Sequence, residues 1–405
     1  MSYKISIIVP VYNGDKTLEN ALDSIINQTI GVKNLQVIIV DDKSTDNSRI
    51  IIDEYCQRYE SFEAIYLKRN IGGAYGPKNI GLKHVKAPYI MFLDSDDSFE
   101  RDACRILYNK ITHSNAQIVY GRYKRIYTDV NLMTKENRAD NYISPNLELV
   151  QKSHSAFKDS LSEYNDDILD NITLTGIMGS LWRNIFGRIF YGRTIKNPET
   201  EDGVFDEIYI KRLEDNIDIL KSLPSFWTKI YDADLILSNN IRFPEVISAE
   251  DLNFIMEAYF KADGIIFLNN TFIYNYYMRD SDDDKSITKD ISYRLVYDSL
   301  LGYAKCSNLC NKHGFENTEI ILNPFLLNWI SLYKRADLDN SQKIKLLREF
   351  EIFRSHYNCK WKGNLLCSII IKMINRSIQK KRRYNKRGNK RKSERYKRYE
   401  IDYEN

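Results

Sequence analysis

Short apolar runs alternate with amphipathic stretches along the first 127 residues. Ile5 to Val9, Leu35 to Val40, Phe62 to Leu67 and Tyr89 to Leu93 are too short for buried helices and read as strands. Between them, Lys16 to Gln28 places Leu18, Ala21, Leu22, Ile25 and Ile26 on one helical face. Asp46 to Arg58 reads as a helix behind a Ser44-Thr45 capping signal, and Lys78 to Val85 as a third helix. Ser98 to Arg101 reads as the start of another. Nearly all-apolar strands separated by amphipathic helices predict an α/β fold with a mostly parallel, Rossmann-like sheet covered on both faces. Ligands in such sheets bind beyond the carboxyl ends of the strands.

Polar residues with chemical potential fall at those ends. The first strand leads into Pro10-Val11-Tyr12-Asn13-Gly14 and the second into Asp41-Asp42-Lys43-Ser44. The third leads into Asn70-Ile71-Gly72-Gly73-Ala74-Tyr75-Gly76-Pro77-Lys78-Asn79, and the fourth into Asp94-Ser95-Asp96-Asp97. Clustered carboxylates after a strand suit a hard divalent cation, which takes one or two carboxylates and completes its shell with water and phosphate. An acidic turn capping the next helix is the alternative. Tyr12 is equally a packing aromatic, the glycines a plain turn and Lys78 a solvated charge. Together the loops offer a ring, paired carboxylates, a flexible backbone beside a lysine and a metal candidate, a set that matches a nucleoside diphosphate. No G-K-[ST] follows the glycines, and they come after the third strand, so neither a Walker loop nor a dinucleotide fingerprint is present.

Ile5 to Asn13 (ISIIVPVYN), Val37 to Ser44 (VIIVDDKS), Asn70 to Gly81 (NIGGAYGPKNIG) and Tyr89 to Asp97 (YIMFLDSDD) resemble the successive motifs of family 2 glycosyltransferases with a GT-A fold. The resemblance implies inverting transfer of a sugar from a nucleotide donor, usually a UDP-sugar, with Mg²⁺ or Mn²⁺. It implies that Tyr12 flanks the base, Asp42 reads the uracil edge, Asp94 touches the donor ribose or sugar and Asp96 binds the metal. Pro10, Asn13, Asn70, Gly73, Asn79 and Ser95 join the donor site on the same ground. Lys78 stands where many members carry arginine. It keeps the charge for the diphosphate but lacks the bidentate fork.

Residues 128–224 are richly polar with scattered aromatics and read as an insertion, either an acceptor site or lid, or a decorative subdomain. The family pattern returns over 225–290 with Trp227-Thr228-Lys229-Ile230-Tyr231, Phe243-Pro244-Glu245 and Ser248-Ala249-Glu250-Asp251 opening a helix to Phe260. Inversion is a single displacement and needs a base for the acceptor hydroxyl. In similar enzymes, including those that glycosylate wall teichoic acid, the aspartate of an E-D pair at this helix start is that base, which points to Asp251. Ser248-x-x-Asp251 is also a capping box, in which Asp251 only satisfies the helix terminus. A looser echo, Ser180-Leu-Trp182 with Pro198 and Glu201-Asp202, leaves Asp202 as a rival base. Arg279 and Lys285 are candidates for closing over the donor pyrophosphate.

Residues 291–360 carry helical periods, as in Tyr293, Val296, Leu300, Leu301 and Tyr303. In 361–405 an apolar-faced stretch, Trp361 to Ile374, precedes a basic run. Lys380 to Arg398 holds twelve Lys or Arg against Glu394 alone, so the net charge of +4 hides a tail of +11 and a remainder of −7. An apolar helix beside a polybasic run fits an anchor on anionic membrane, each charge contributing about 1 kcal/mol; a docked helix with a solvated tail is the alternative. Tyrosines interleave with the charges, but no RNA-binding fold is visible and no nucleic-acid partner is expected. An oligomer is compatible with the helices.

At 405 residues the chain exceeds what one core usually supports. The N-terminal apolar run is too short for a signal core, and no run reaches the roughly 18 apolar residues of a span. Six cysteines without C-x-x-C pairing fit a reduced protein without zinc. A cytoplasmic location is expected, peripheral on the inner membrane face where the tail engages. The leading expectation is a metal-dependent glycosyltransferase acting on a polysaccharide, teichoic-acid-like or lipid-linked acceptor of the cell envelope. The competing one is a GT-A-fold scaffold without turnover.

Overall fold

The computed structural model describes residues 3–127, 207–216, 220, 225–278, 291–316 and 318–356. Most of the 128–224 stretch, the rival base Asp202, Arg279, Lys285 and the segment 361–405 lie outside the described residues. The chain divides into two compact units, one drawn from Met1–Asp290 and Leu301–Glu316, the other from Ile291–Leu300 and Asn317–Asn405.

The first unit is built on a nine-stranded sheet. Strands β1 (Ile5–Val11), β2 (Leu35–Asp41), β3 (Phe62–Tyr66) and β4 (Tyr89–Phe92) form its parallel half in the order β3-β2-β1-β4. Every residue of β1 and β2 is buried, as an apolar strand covered on both faces requires. The chain runs outward from β1 to β3 and returns to β4 on the other side of β1, pairing Ile5 with both Leu35 and Tyr89. That reversal opens a crevice at the carboxyl ends of β1 and β4.

Beyond β4 the order continues through β8 (Lys229–Asp232), β6 (Ile118–Tyr127), β9 (Ile265–Met278) and β5 (Ser98–Phe99), with β7 (Glu207–Ile210) also on β9. Strand β8 is antiparallel to β4 and β6, β6 runs parallel to β9, and β5 and β7 run antiparallel to β9. Residues separated by more than 100 positions in sequence are thereby set side by side on one sheet. The expected helix from Ser98 is replaced by β5, because Ser98 and Phe99 pair with Asn275 and Tyr274; helix α4 starts at Ala103 and runs to Thr112.

Helices α1 (Leu18–Ile26), α2 (Ser48–Arg58) and α3 (Tyr75–Leu82) connect the parallel strands. Helix α3 begins three residues before the expected Lys78. Pro77 lies in its first turn, where its missing N–H has no helical partner to lose. Gly81 lets α3 approach β1, since a Cβ there would lie 2.5 Å from Ile8 Cγ2. The expected Ser44-Thr45 cap for α2 is also overturned: Asn47 holds the cap position, and Ser44 Oγ accepts from Asn13 N at 2.9 Å. Helices α5 (Ala233–Ser238) and α6 (Glu250–Lys261) follow β8.

Helix α7 (Tyr293–Lys312) contributes to both units. In the second unit its first half joins α8 (Thr318–Arg335) and α9 (Asn340–His356). Trp329 is buried there, stacks on Phe350 at 4.8 Å and donates its indole N–H to Val296 O at 2.8 Å. Cys306 and Cys310, one turn apart on α7, are buried thiols in the first unit.

Candidate active site

The loops after β1 and β2 are stitched to each other. Tyr12 is 50% exposed, which leaves its ring available for stacking. Asn13 has a left-handed backbone (φ 50°), and its Oδ1 accepts from Thr45 N at 2.8 Å. Asp41 is tied inward, accepting from Ser44 N at 3.0 Å and Arg49 Nε at 2.8 Å. Asp42 is buried and its Oδ1 accepts from Ile71 N at 2.8 Å, so the residue expected at the base also holds the glycine loop. Burial raises its pKa against the backbone hydrogen bonds from Ile71 and Gly72. Asn70 is exposed and Pro10 is buried in β1. Gly73 is buried, and a Cβ there would lie 2.9 Å from the Tyr75 ring.

Across the crevice the four residues after β4 separate in role. Asp94 is half-buried, and its N–H donates to Tyr274 Oη at 3.3 Å. Ser95 O accepts from Thr17 Oγ1 at 2.9 Å, joining this loop to the one after β1. Asp96 is exposed, whereas Asp97 is only 1% exposed. Asp97 accepts from Tyr274 Oη and Tyr277 N, both at 2.9 Å, so it fastens β9 to the acidic loop instead of opening a helix. Burial, with Asp96 and Asp94 adding to it, pushes the Asp97 carboxyl up to about 9. Burial also pushes Asp94 up to about 7; Lys78 opposes the shift, while Asp96, Asp251 and Glu250 reinforce it.

Among the described residues no group of three or more His, Cys, Asp or Glu is arranged to enclose a metal ion. The donor set still fits Mg²⁺ or Mn²⁺ of the open kind, which takes few protein ligands. An exposed carboxylate, Asp96, stands beside carboxyls whose affinity for protons is raised by burial and further by mutual repulsion, and a divalent cation would relieve that repulsion.

The largest departure from the sequence-based expectation is Lys78. It is 2% exposed, and its ammonium lies 2.8 Å from Asp251 Oδ1 and 3.6 Å from Glu250 Oε1. It also sits over the rings of Phe226 and Phe243, at 3.8 and 4.9 Å from their centroids. Those rings belong to a cluster with Phe92, Phe254 and Tyr231 that fills the space between β4 and α6. Burial works against the charge of Lys78, but Asp251, Glu250 and Asp94 outweigh it and hold the ammonium above its ordinary value. Burial raises Glu250 to about 7; Asp251 adds to the shift and Lys78 opposes it.

The capping box, the alternative reading at Ser248, does not form. Ala249 occupies the cap position in a left-handed conformation (φ 63°), without a side-chain cap hydrogen bond. Asp251 is directed instead to Lys78, and its side chain stays 34% exposed. The start of α6 is fixed by α7: Asn253 Nδ2 donates to Ala249 O and to Gly302 O, at 2.8 and 2.9 Å. Gly302 allows this approach, since a Cβ there would lie 2.8 Å from Ser248 O. The side-chain amide of Asn79 pairs with Phe243 on both sides, donating to its O at 2.7 Å and accepting from its N at 2.9 Å.

The fold thus brings Asp94, Lys78, Glu250 and Asp251 into one electrostatic group at the end of β4. Glu250, Phe226, Phe243 and Tyr274 are the participants that sequence reasoning did not assign. Glu250 had a signal in the E-D pair; Tyr274 depends on the pairing of β9 with β5, which sequence spacing does not reveal.

Comparison with known proteins agrees with this geometry. Residues 6–178 match the model of glycosyl transferase family 2. The chain is 40% identical over 123 residues to a poly(ribitol-phosphate) beta-glucosyltransferase of Bacillus spizizenii, a match covering 30% of this chain and 19% of that protein. It is 28% identical over 274 residues to a cholesterol galactosyltransferase of Borreliella burgdorferi, covering 68% of this chain and 60% of that one. These matches therefore span between about a fifth and three fifths of the relatives' lengths. Among solved structures, S. aureus TarS 1-349 in complex with UDP-GlcNAc shares the fold with a TM-score of 0.54 at 20% identity, covering 86% of this chain and 80% of that one.

Proposed function

We propose, from the match of residues 6–178 to the model of glycosyl transferase family 2, that the protein is an inverting, metal-dependent hexosyl- or N-acetylhexosaminyltransferase. It uses a UDP-sugar and acts on a hydroxyl of a teichoic-acid-like, polysaccharide or lipid-linked acceptor. The observation that carries this reading is the meeting of Asp251 with the donor-edge residues: Asp251 is anchored on Lys78 of the glycine loop helix and acts electrostatically on Asp94. A base candidate more than 150 residues distant in sequence stands at the strand ends where the donor motifs converge. The poly(ribitol-phosphate) relative supports the polymer acceptor class.

In the reaction the acceptor oxygen bonds to the anomeric carbon as the bond from that carbon to the diphosphate breaks. The acceptor proton passes to Asp251, and UDP leaves with the bonding electrons. Asp251 supplies the open, partly exposed carboxylate for that transfer. Tyr12 offers a face to the base, Asp42 its carboxyl edge, and Asp94 a contact with the ribose or sugar. Pro10, Asn13, Asn70, Gly73, Asn79 and Ser95 shape this edge. Asp96 would hold Mg²⁺ or Mn²⁺, which when bound offsets diphosphate charge.

The test is release of UDP from a panel of sugar nucleotides with Mn²⁺ by the full chain. Absence of turnover on every donor would leave the scaffold reading. Asp96→Ala should abolish Mn²⁺-dependent donor binding, whereas Asp251→Asn should leave binding intact and remove transfer. If Asp202→Asn silences transfer and Asp251→Asn does not, the base is misassigned. No helix among the described residues is long and apolar enough to cross a membrane. Peripheral attachment through the basic tail predicts that truncation after Lys360 abolishes co-sedimentation with anionic vesicles.

A further inference from the structure

We propose that Lys78 is a positioning residue for the base, an internal cation that pins one oxygen of Asp251 and leaves the other to take the acceptor proton, and not a contact for the donor diphosphate. The inference rests on the assignment of Asp251 as base and goes beyond it by giving that base an orienting partner.

The ammonium is buried to 2% exposure and lies within hydrogen-bond distance of Asp251 Oδ1, at 2.8 Å. Among the described residues no second hydrogen bond is made to the Asp251 carboxylate, and its side chain remains a third exposed, so one face of the carboxylate is held and the other is open. Two aromatic faces, Phe226 and Phe243, close around the ammonium and exclude water from it. A lysine reaching for a bound diphosphate would present its head to the crevice. This one is enclosed by rings and by the two carboxylates that begin α6.

The surrounding elements hold the arrangement from both sides. Lys78 is carried by α3, whose neighbouring Asn79 clasps the main chain of Phe243 in both directions. Asp251 is carried by α6, whose start is held by Asn253 and the close approach of Gly302. A base directed by a third group is the general logic of activated catalytic pairs, and here the third group is a cation. Glu250, at 3.6 Å from the same ammonium, shares its charge with Asp251. Among the described residues the titratable groups facing Asp251 are Lys78, Glu250, Asp94 and Tyr231.

The experiment uses the full chain, with UDP plus Mn²⁺ as the binding probe and the fastest donor of the panel for turnover. Lys78→Met should change the UDP Kd less than threefold, lower kcat at least 100-fold and move the acid limb of the kcat profile up by a unit or more. Lys78→Met combined with Asp251→Asn should be no slower than Asp251→Asn alone, because groups that act as a unit are not additive. Lys78→Arg keeps the charge; it should leave UDP binding unchanged and recover part of the turnover with a wild-type acid limb. If Lys78→Met does not fold, the same cycle with Lys78→Arg and Asp251→Asn decides. A tenfold loss of UDP affinity in Lys78→Met, tighter UDP binding in Lys78→Arg, or losses that multiply with Asp251→Asn would overturn the proposal. Failure of wild-type turnover on every donor would instead count against the enzymatic reading itself.

Discussion

Two lysines are enclosed among the described residues of the first unit, and they are opposites. Lys78 in α3 faces Asp251, Glu250 and Asp94, which raise its proton affinity. Among the described residues Lys229 in β8 has no carboxylate beside it: its ammonium donates to Ser225 O at 2.6 Å and lies 4.4 Å from the Tyr120 ring centroid. Burial alone therefore pushes Lys229 down to about 7. The comparison teaches that burial imposes the same cost on both charges, and the partners decide whether the charge survives. Where carboxylates are gathered at the end of β4 the cation is retained; in β8 the lysine serves as a long donor for a loop carbonyl.

The largest expected effect comes from breaking the first environment. Lys78→Met should cost about 3–5 kcal/mol in denaturant unfolding at pH 8, because it leaves buried carboxylates without their cation. The loss should shrink at pH 6, where Glu250 and Asp94, both raised to about 7, take up protons. An equal loss at both values would contradict the electrostatic account.

Lys229→Met sharpens the contrast from the other side. The folded pKa of about 7 lies below the unfolded value of about 10.4, so the unfolded chain binds more protons across that window. Lys229 therefore makes stability rise with pH between those values, by up to about 1.4 kcal/mol per pH unit, and stability falls as pH drops toward 7. Lys229→Met should stabilise the protein by about 1–4 kcal/mol at pH 6 and flatten this slope. At pH 9 the lost bond to Ser225 O should make it neutral or slightly destabilising.

Gly302→Ala should act on the site from a distance. Its Cβ would meet Ala249 Cβ and Ser248 O at 2.8 Å, forcing the start of α6 to move. A loss of about 1–3 kcal/mol is expected from overpacking, with kcat reduced more than UDP affinity. As the smallest effect, Arg105→Ala removes a half-exposed pair with Asp102 and should shift stability by less than about 1 kcal/mol. A change as large as that of Lys78→Met would show that burial does not govern these pairs.

Much of the carboxyl edge of the parallel strands was legible in the sequence. All-apolar runs required strands covered on both faces, and such strands direct polar residues to the carboxyl edge. Tyr12, Asp42, Asp94 and Asp96 could therefore be placed on one edge from local pattern alone. The local errors were at boundaries, where side chains chose distant partners over near ones. Ser44 receives Asn13 N instead of capping α2, and Ser98 pairs with β9 instead of opening a helix.

Periodicity and composition by themselves determined the alternating architecture, the loops that face the ligand edge and the carboxylates gathered there, because these follow from short-range constraints on the backbone. Tertiary structure alone decided which charges meet. Lys78 and Asp251 are 173 positions apart, and their 2.8 Å contact exists because β8 sits beside β4 and α6 packs behind the aromatic cluster. Sequence spacing carries no information about that separation, since a Coulomb interaction depends on distance through space and on how much water remains between the charges.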